Sequence, residues 1–229
     1  MICQRVQVDY NIGMKTLRVP IYPSAEVIFP GQLFPIFAET RRVDWLLQAC
    51  CEQRLPLGVV FVPDTLGHTL ATVGTLAYLL DEVPQKLLEF SNTVVVGQYR
   101  FQILQIHQDQ VYLEATVQLW PWLEEPRPGW LLIEQLGRYL HRYVQALSRT
   151  LPAALLPEVL PPGVSTLGVL GAALLPLPAA EKQRLLETPT AKVLISEVLN
   201  YMRIYVPLTE RLAKMPPKVP ASHELVSLN

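Results

Sequence analysis

At 229 residues, half of them apolar and 17% charged, the chain can bury a sizeable core in one large domain or two modest ones, which excludes global disorder. A formal net charge of −1, with no lysine or arginine run, excludes a protein built mainly to neutralise phosphate. The 21 prolines divide the chain into many short elements.

Residues 4–12 alternate, with Val6, Val8 and Tyr10 on one side, as in a half-buried strand. The start lacks the charged-then-apolar build of a signal peptide. Leu17-Arg18-Val19-Pro20-Ile21-Tyr22 is a second strand. The stretch Ile28-Phe29-Pro30-Gly31-Gln32-Leu33-Phe34-Pro35-Ile36-Phe37 predicts two short strands joined at a Pro30–Gly31 turn. Proline suits the second position of such a turn and glycine supplies positive φ at the third. From Glu39 to Arg54 the period becomes helical: Val43, Leu46, Leu47, Cys50 and Cys51 recur three and four apart, and Pro56 ends the run. Leu57–Val62 is a short buried strand.

Ala71 to Leu80 alternates through Val73, Thr75, Ala77 and Leu79, with Gly74 marking a bulge or a close backbone approach. A turn at Asp81-Glu82-Val83-Pro84 leads to strands at Lys86–Phe90, Thr93–Ile106 and Val111–Trp120, the last two joined at His107-Gln108-Asp109-Gln110. So many short strands suggest a small barrel, because exposed edges are a liability. Trp120 to Gly129 is a proline-marked linker. Beyond it the period is helical. Trp130, Ile133, Leu136, Leu140, Val144 and Leu147 trace one stripe, and further helices are predicted at Thr166–Leu175 and Ala179–Leu186. Thr188–Pro189 reads as cap and first turn of a long helix with the stripe Leu194, Val198, Tyr201, Met202, Tyr205, Leu208 and Leu212 and a kink at Pro207. The most apolar run, Val164 to Pro178, is interrupted by Gly168, Gly171 and Pro176 and is too short to span about 30 Å of hydrocarbon.

Chemistry-bearing motifs are not found. Neither phosphate-cradling glycine loops nor His-Glu-x-x-His nor Gly-x-Ser-x-Gly occurs. Three cysteines, two of them adjacent, form no disulfide framework, and none has a histidine at zinc-ligand spacing; reduced thiols place the chain in the cytoplasm. Ser196 and Lys192 share a helix face as a nucleophile and its base would, but nothing resembling an oxyanion hole adjoins them, and the structural reading is preferred. The acid pairs Asp81-Glu82 and Glu124-Glu125 and the histidines His68, His107, His141 and His223 are scattered. Tyr99-Arg100-Phe101 is the best local candidate for base stacking.

In order and spacing, Leu17–Tyr22, Val27-Ile28-Phe29-Pro30-Gly31, Pro35-Ile36-Phe37, Val73-Gly74-Thr75-Leu76-Ala77, Val94–Phe101 and Leu174–Pro178 followed by Glu181-Lys182-Gln183-Arg184-Leu185-Leu186-Glu187 resemble the amino-terminal substrate-binding domain of Lon-type ATP-dependent proteases. The likeness covers roughly residues 15–213. It implies an α+β fold, a PUA-like β-barrel with one embedded helix over residues 1–122, then an all-helical bundle over 123–215 and a flexible tail over 216–229. In full-length Lon proteases this domain recognises polypeptide substrates and helps assemble the ring, ahead of ATPase and Ser–Lys peptidase modules that are absent from this sequence.

The resulting expectation is a non-enzymatic polypeptide-binding adaptor, with no cofactor, no metal and no catalytic residue. Its partners would be unfolded or flexible polypeptide segments, with a separate ATPase or protease as a collaborator and oligomerisation left open. Neither a membrane nor nucleic acid is expected as a partner. The physical motive is the helical half, which holds more apolar residues than two packed helices need. The expected binding rim is Phe29, Pro30, Phe34 and Pro35, with Trp120 and Trp122 at the junction of the two halves. The alternative is RNA binding through the barrel, and a third reading is a hydrolase built on Ser196 and Lys192.

Overall fold

The computed structural model describes residues 16–38, 40–63, 69–80, 93–149, 157 and 159–214. The strands expected at 4–12 and 86–90, the turn at 81–84, residues 150–156 and 158, and the tail over 216–229 lie outside these residues, as do His68 and His223.

Six strands form one sheet: β1 (Thr16–Ser24), β2 (Leu33–Ile36), β3 (Leu57–Phe61), β4 (Val73–Leu79), β5 (Thr93–His107) and β6 (Glu114–Leu119). The order is β2-β5-β4-β3-β1-β6, and β6 pairs again with β5, so five strands close into a barrel. The length of β5 makes closure possible. Its first residues pair with β2 through Leu33↔Val96 and Ile36↔Thr93, its last with β6 through Ile103↔Val117 and His107↔Glu114, and β4 runs along the opposite edge. All pairings are antiparallel except β1 with β3. Val19, Ile21, Val60, Leu76, Phe101, Ala115 and Val117 fill the barrel, with nearly all of their surface removed from water.

Gly74 is a point of close approach: a Cβ there would stand 2.6 Å from the Val59 carbonyl oxygen and 2.8 Å from Phe101 Cζ. The irregularity in the β4–β5 ladder lies elsewhere, between Leu76 and Ala77, where Gln98 is the extra residue on β5. The connection between β5 and β6 is wider than expected, because β6 starts at Glu114 rather than Val111. Arg18 spans that connection, donating to Asp109 at 2.6 Å and Glu114 at 2.7 Å.

Helix α1 (Arg41–Gln53) packs Leu46 and Cys50 against Ile28, Ile36, Leu57, Val59, Ala77 and Val95 on one flank of the barrel. It ends at Arg54, whose φ of 52° is left-handed, two residues before Pro56. Cys51, read as part of the apolar stripe, is exposed. The Pro30–Gly31 turn forms as the sequence predicts, with Gly31 at φ 89° and Gln32 N–H donating to Phe29 O at 3.1 Å. Val27–Phe29 corrects the expectation of a strand before the turn. It is buried but joins no ladder, and side chains satisfy its backbone instead: Thr75 Oγ1 donates to Ile28 O at 2.7 Å, and Gln32 Oε1 accepts from Phe29 N at 2.7 Å.

The remaining chain is helical: α2 (Trp130–Leu147), α3 (Val164–Leu174), α4 (Ala179–Leu186) and α5 (Ala191–Leu212). Both α2 and α3 lie along α5, whose inner side is Leu194, Ile195, Val198, Leu199, Met202 and Val206. Most of the predicted stripe on α2 holds, since Ile133, Leu136, Leu140 and Leu147 all pack on the core it shares with α5. Leu136, Leu140, Tyr143 and Ala146 face inward and Trp130 is 75% exposed. Leu208 and Leu212, predicted inside, are exposed too. Helix α5 continues through Pro207. Its N-cap is Thr190, whose Oγ1 accepts from Val193 N at 3.2 Å, and not Thr188. No described helix is long and apolar enough to cross a membrane. The fold is α+β: a barrel with one embedded helix, then a helical bundle.

Candidate functional site

The two halves meet at a built junction. On β5, Arg100 is 2% exposed, and its guanidinium lies between two indoles, 4.1 Å from the ring centre of Trp120 and 3.9 Å from that of Trp122. Its Nε donates to Trp120 O at 2.6 Å, while Nη1 donates to Leu186 O at 2.7 Å and Thr188 O at 2.6 Å. One strand of the barrel thereby holds the loop between α4 and α5. No carboxylate pairs with this cation among the described residues, and burial pulls its pKa down to about 9. The flat cation is held by carbonyl dipoles and two aromatic faces.

Thr188, the residue read as a helix cap, has its hydroxyl committed elsewhere. Its Oγ1 accepts from Trp122 Nε1 at 3.0 Å and donates to Leu185 O at 2.8 Å, because a buried indole N–H needs an acceptor. Two glutamines complete the junction. Gln183 Nε2 donates from α4 to Val73 O on β4 at 3.0 Å, and Gln32 Nε2 donates to Ala173 O on α3 at 3.3 Å. Phe29 and Trp122 both belong to the core cluster that the barrel shares with the helices.

The second region is the outside of β2 and α1. These elements share one core, and Leu33 on β2 is 47%, Phe37 just past β2 46% and Trp45 on α1 45% exposed. Phe34 and Pro35 are half-buried between them in sequence, and the Phe34 ring meets Tyr22 edge-on at 6.4 Å. Strand β2 pairs only with β5 among the described residues, leaving one edge unpaired.

Of the six residues expected at a binding rim, the structure leaves Pro30, Phe34, Pro35 and Trp120 half-buried and puts Phe29 and Trp122 in the interior. It separates them into two places, with Phe34 and Pro35 on β2 and Trp120 and Trp122 stacked on Arg100. Sequence reasoning missed Leu33, Phe37 and Trp45. The signal for Trp45 was available, since a large aromatic among Arg41, Arg42 and Asp44 falls off the apolar stripe of α1. Arg100 was read only as a base-stacking candidate, although an arginine within an apolar strand followed by Trp-Pro-Trp already hinted at cation–π burial.

The other candidates do not assemble. Ser196 Oγ donates to the Lys192 carbonyl at 2.9 Å, an ordinary helix contact. His107 Nε2 lies 2.7 Å from Thr116 Oγ1, and His141 Nε2 lies 3.0 Å from Gln145 Nε2. Among the described residues no group of histidine, cysteine and acidic side chains could hold a metal. Tyr99 and Phe101 do not make a stacking pair, because Phe101 fills the barrel and Arg100 is buried.

Comparison with known proteins agrees with this architecture. The chain is 30% identical over 215 residues to the Lon protease of Anaeromyxobacter dehalogenans, covering 85% of this chain and 24% of that protein. It is 30% identical over 214 residues to Lon protease 2 of Myxococcus xanthus, covering 85% and 25%. It thus spans about a quarter of the length of these relatives. Among solved structures, the N-terminal domain of the Mycobacterium avium complex Lon protease superposes with a TM-score of 0.60 at 17% identity, over 82% of this chain and 100% of that one. The Lon N-terminal domain protein from Xanthomonas campestris gives 0.54 at 21% identity, over 81% and 99%. The family model of the ATP-dependent protease La (LON) substrate-binding domain matches residues 18–203, most of the barrel and bundle just described. The chain belongs to the LON substrate-binding domain family.

Proposed function

We propose that this chain is a non-catalytic polypeptide-binding adaptor that holds exposed apolar stretches of unfolded or flexible client proteins, in the cytoplasm and beside a separate ATPase or protease. Family membership supports a substrate-binding role, since the matching model is that of a substrate-binding domain. The observation that carries the reading to a surface is the outer side of β2 and α1. Leu33 and Phe37, at β2 and just past it, and Trp45 on α1 each leave large apolar area exposed, and burial against a client would release about 25 cal/mol for each Å² removed from water. The unpaired edge of β2 adds a place for an extended segment to align.

In this reading Phe34 and Pro35 touch the client. Pro30 shapes the turn behind them and Phe29 anchors it. Trp120 and Trp122 fix the angle between barrel and bundle. The test is fluorescence anisotropy with labelled, permanently unfolded carboxymethylated lactalbumin. Trp45→Asp and Phe37→Asp should each weaken binding by about tenfold, the loss expected of a buried aromatic anchor, without moving the melting temperature. Unchanged affinity in both variants would overturn the surface assignment. Binding that collapses steeply with salt and is shared by RNA would favour the alternative reading, a nucleic-acid partner.

A further inference from the structure

Between α2 and α5 lies a cleft of about 320 Å³ lined by Gln135, Arg138, Tyr139, Arg142 and Arg203. Every charge on its lining is positive, in a chain whose 19 basic residues are outnumbered by 20 acidic ones. The three guanidiniums are not equivalent. Arg142 is pinned, donating through Nε and Nη2 to the two Glu210 oxygens at 2.8 Å each, with its plane 5.6 Å from the Tyr139 ring centre. Among the described residues Arg138 has only Glu134, at 3.8 Å on its own helix. Arg203 reaches Asn200 Oδ1 at 3.4 Å and pairs with no carboxylate among the described residues. Two loosely held forks therefore stand beside a fixed one.

We propose that this cleft receives an anionic stretch of the client polypeptide, its carboxylates taken by Arg203 and Arg138. This rests on the polypeptide-binding reading above and adds to it a client chemistry, acidic as well as apolar. A guanidinium matches a carboxylate with two parallel hydrogen bonds. The walls are the middles of two helices, whose amides are bonded internally, so they offer no backbone cradle of the kind that holds phosphate at a helix start or glycine loop. Exposed apolar side chains accompany the arginines on the same two helices: Leu131 on the Arg138 face of α2, one turn before Gln135, and Ile204 and Leu208 further round α5 from Arg203. A free anion could not use them. A peptide with acidic and apolar residues could use both.

Two labelled peptides test this, one alternating leucine and glutamate, the other leucine and glutamine, with carboxymethylated lactalbumin as the reference ligand. The acidic peptide should bind about tenfold tighter or better, the value of one charge-assisted hydrogen-bonded pair. The gap should close in Arg203→Ala and return only in part in Arg203→Lys, which keeps the charge but loses the fork. Arg203 is exposed, so both variants should melt with the wild type. Equal affinities for the two peptides would overturn the acidic preference while leaving polypeptide binding intact, as would lactalbumin binding with neither peptide bound. Tripolyphosphate or an RNA oligonucleotide that binds more tightly than the acidic peptide, and is lost in Arg203→Ala, would make the cleft a phosphate site and overturn the proposal. Failure of lactalbumin as well as both peptides would instead remove the reading on which the proposal stands.

Discussion

Arg100 shows what a single residue decides here. Its desolvation opposes burial, and among the described residues no acid compensates it. The sign is set by what its removal would leave behind: three carbonyl oxygens without a donor and two indoles without the cation between them. Arg100→Met should therefore cost about 2–4 kcal/mol in chemical denaturation, since each abandoned buried acceptor costs about 1–3 kcal/mol and the relieved charge returns part. An unchanged unfolding midpoint would contradict the assignment. Cys50 gives a pH prediction. Burial, with a smaller contribution from neighbouring Cys51, pushes its thiol from 9.0 up to about 12. The folded state thus keeps a proton that the unfolded chain sheds, so the contribution is complete below pH 9 and is lost as pH rises towards 12. Cys50→Val should flatten that alkaline loss in pH-dependent denaturation. In a Cys3→Ser background, native protein should also yield one reactive thiol, the exposed Cys51, and denatured protein both.

Elements were legible where the local pattern and the tertiary demand coincide. The period change at α1, the Gly31 turn and the strand at Leu57 are all written in residue type and spacing, and the fold uses them as read. Where a distant partner decides, the sequence is silent. Val27–Phe29 has strand composition, but its donors and acceptors meet Gln32 and Thr75 side chains. Thr188–Pro189 has cap composition, but the Trp122 indole claims the hydroxyl and the cap falls to Thr190. The α2 stripe gains Tyr143 and Ala146 and loses Trp130, because packing on α5 decides which residues are covered. Thr190→Ala should then destabilise by about 1 kcal/mol, as loss of an N-cap does. Gly74→Ala should cost more, about 1–3 kcal/mol, because its Cβ would press on the Val59 carbonyl and the interior cannot yield. Equal effects of the two substitutions in thermal melts would contradict this ranking.

At the scale of the molecule, barrel and bundle share one core cluster running from Val27, Phe29 and Val73 through Trp122 to the helices, tied further by Arg100, Gln183 and Gln32. The division after residue 122 is our proposal for where barrel ends and bundle begins. The shared core predicts that the two unfold together in a single transition seen alike by tryptophan fluorescence and helical circular dichroism. The surplus of apolar residues in the helical half, read from sequence as a binding surface, is largely spent on this core: Leu167, Val169, Ala172, Leu175 and Leu177 are buried. The exposed apolar area that remains at β2 could not be read from periodicity, because β2 is too short for a pattern, whereas Trp45 was legible as the aromatic off the α1 stripe. The most direct measurement is hydrogen–deuterium exchange of the full chain with and without carboxymethylated lactalbumin. Added protection is expected at Leu33–Ile36 and along Arg41–Gln53; protection absent from both while lactalbumin binds would rule out this surface as the binding site.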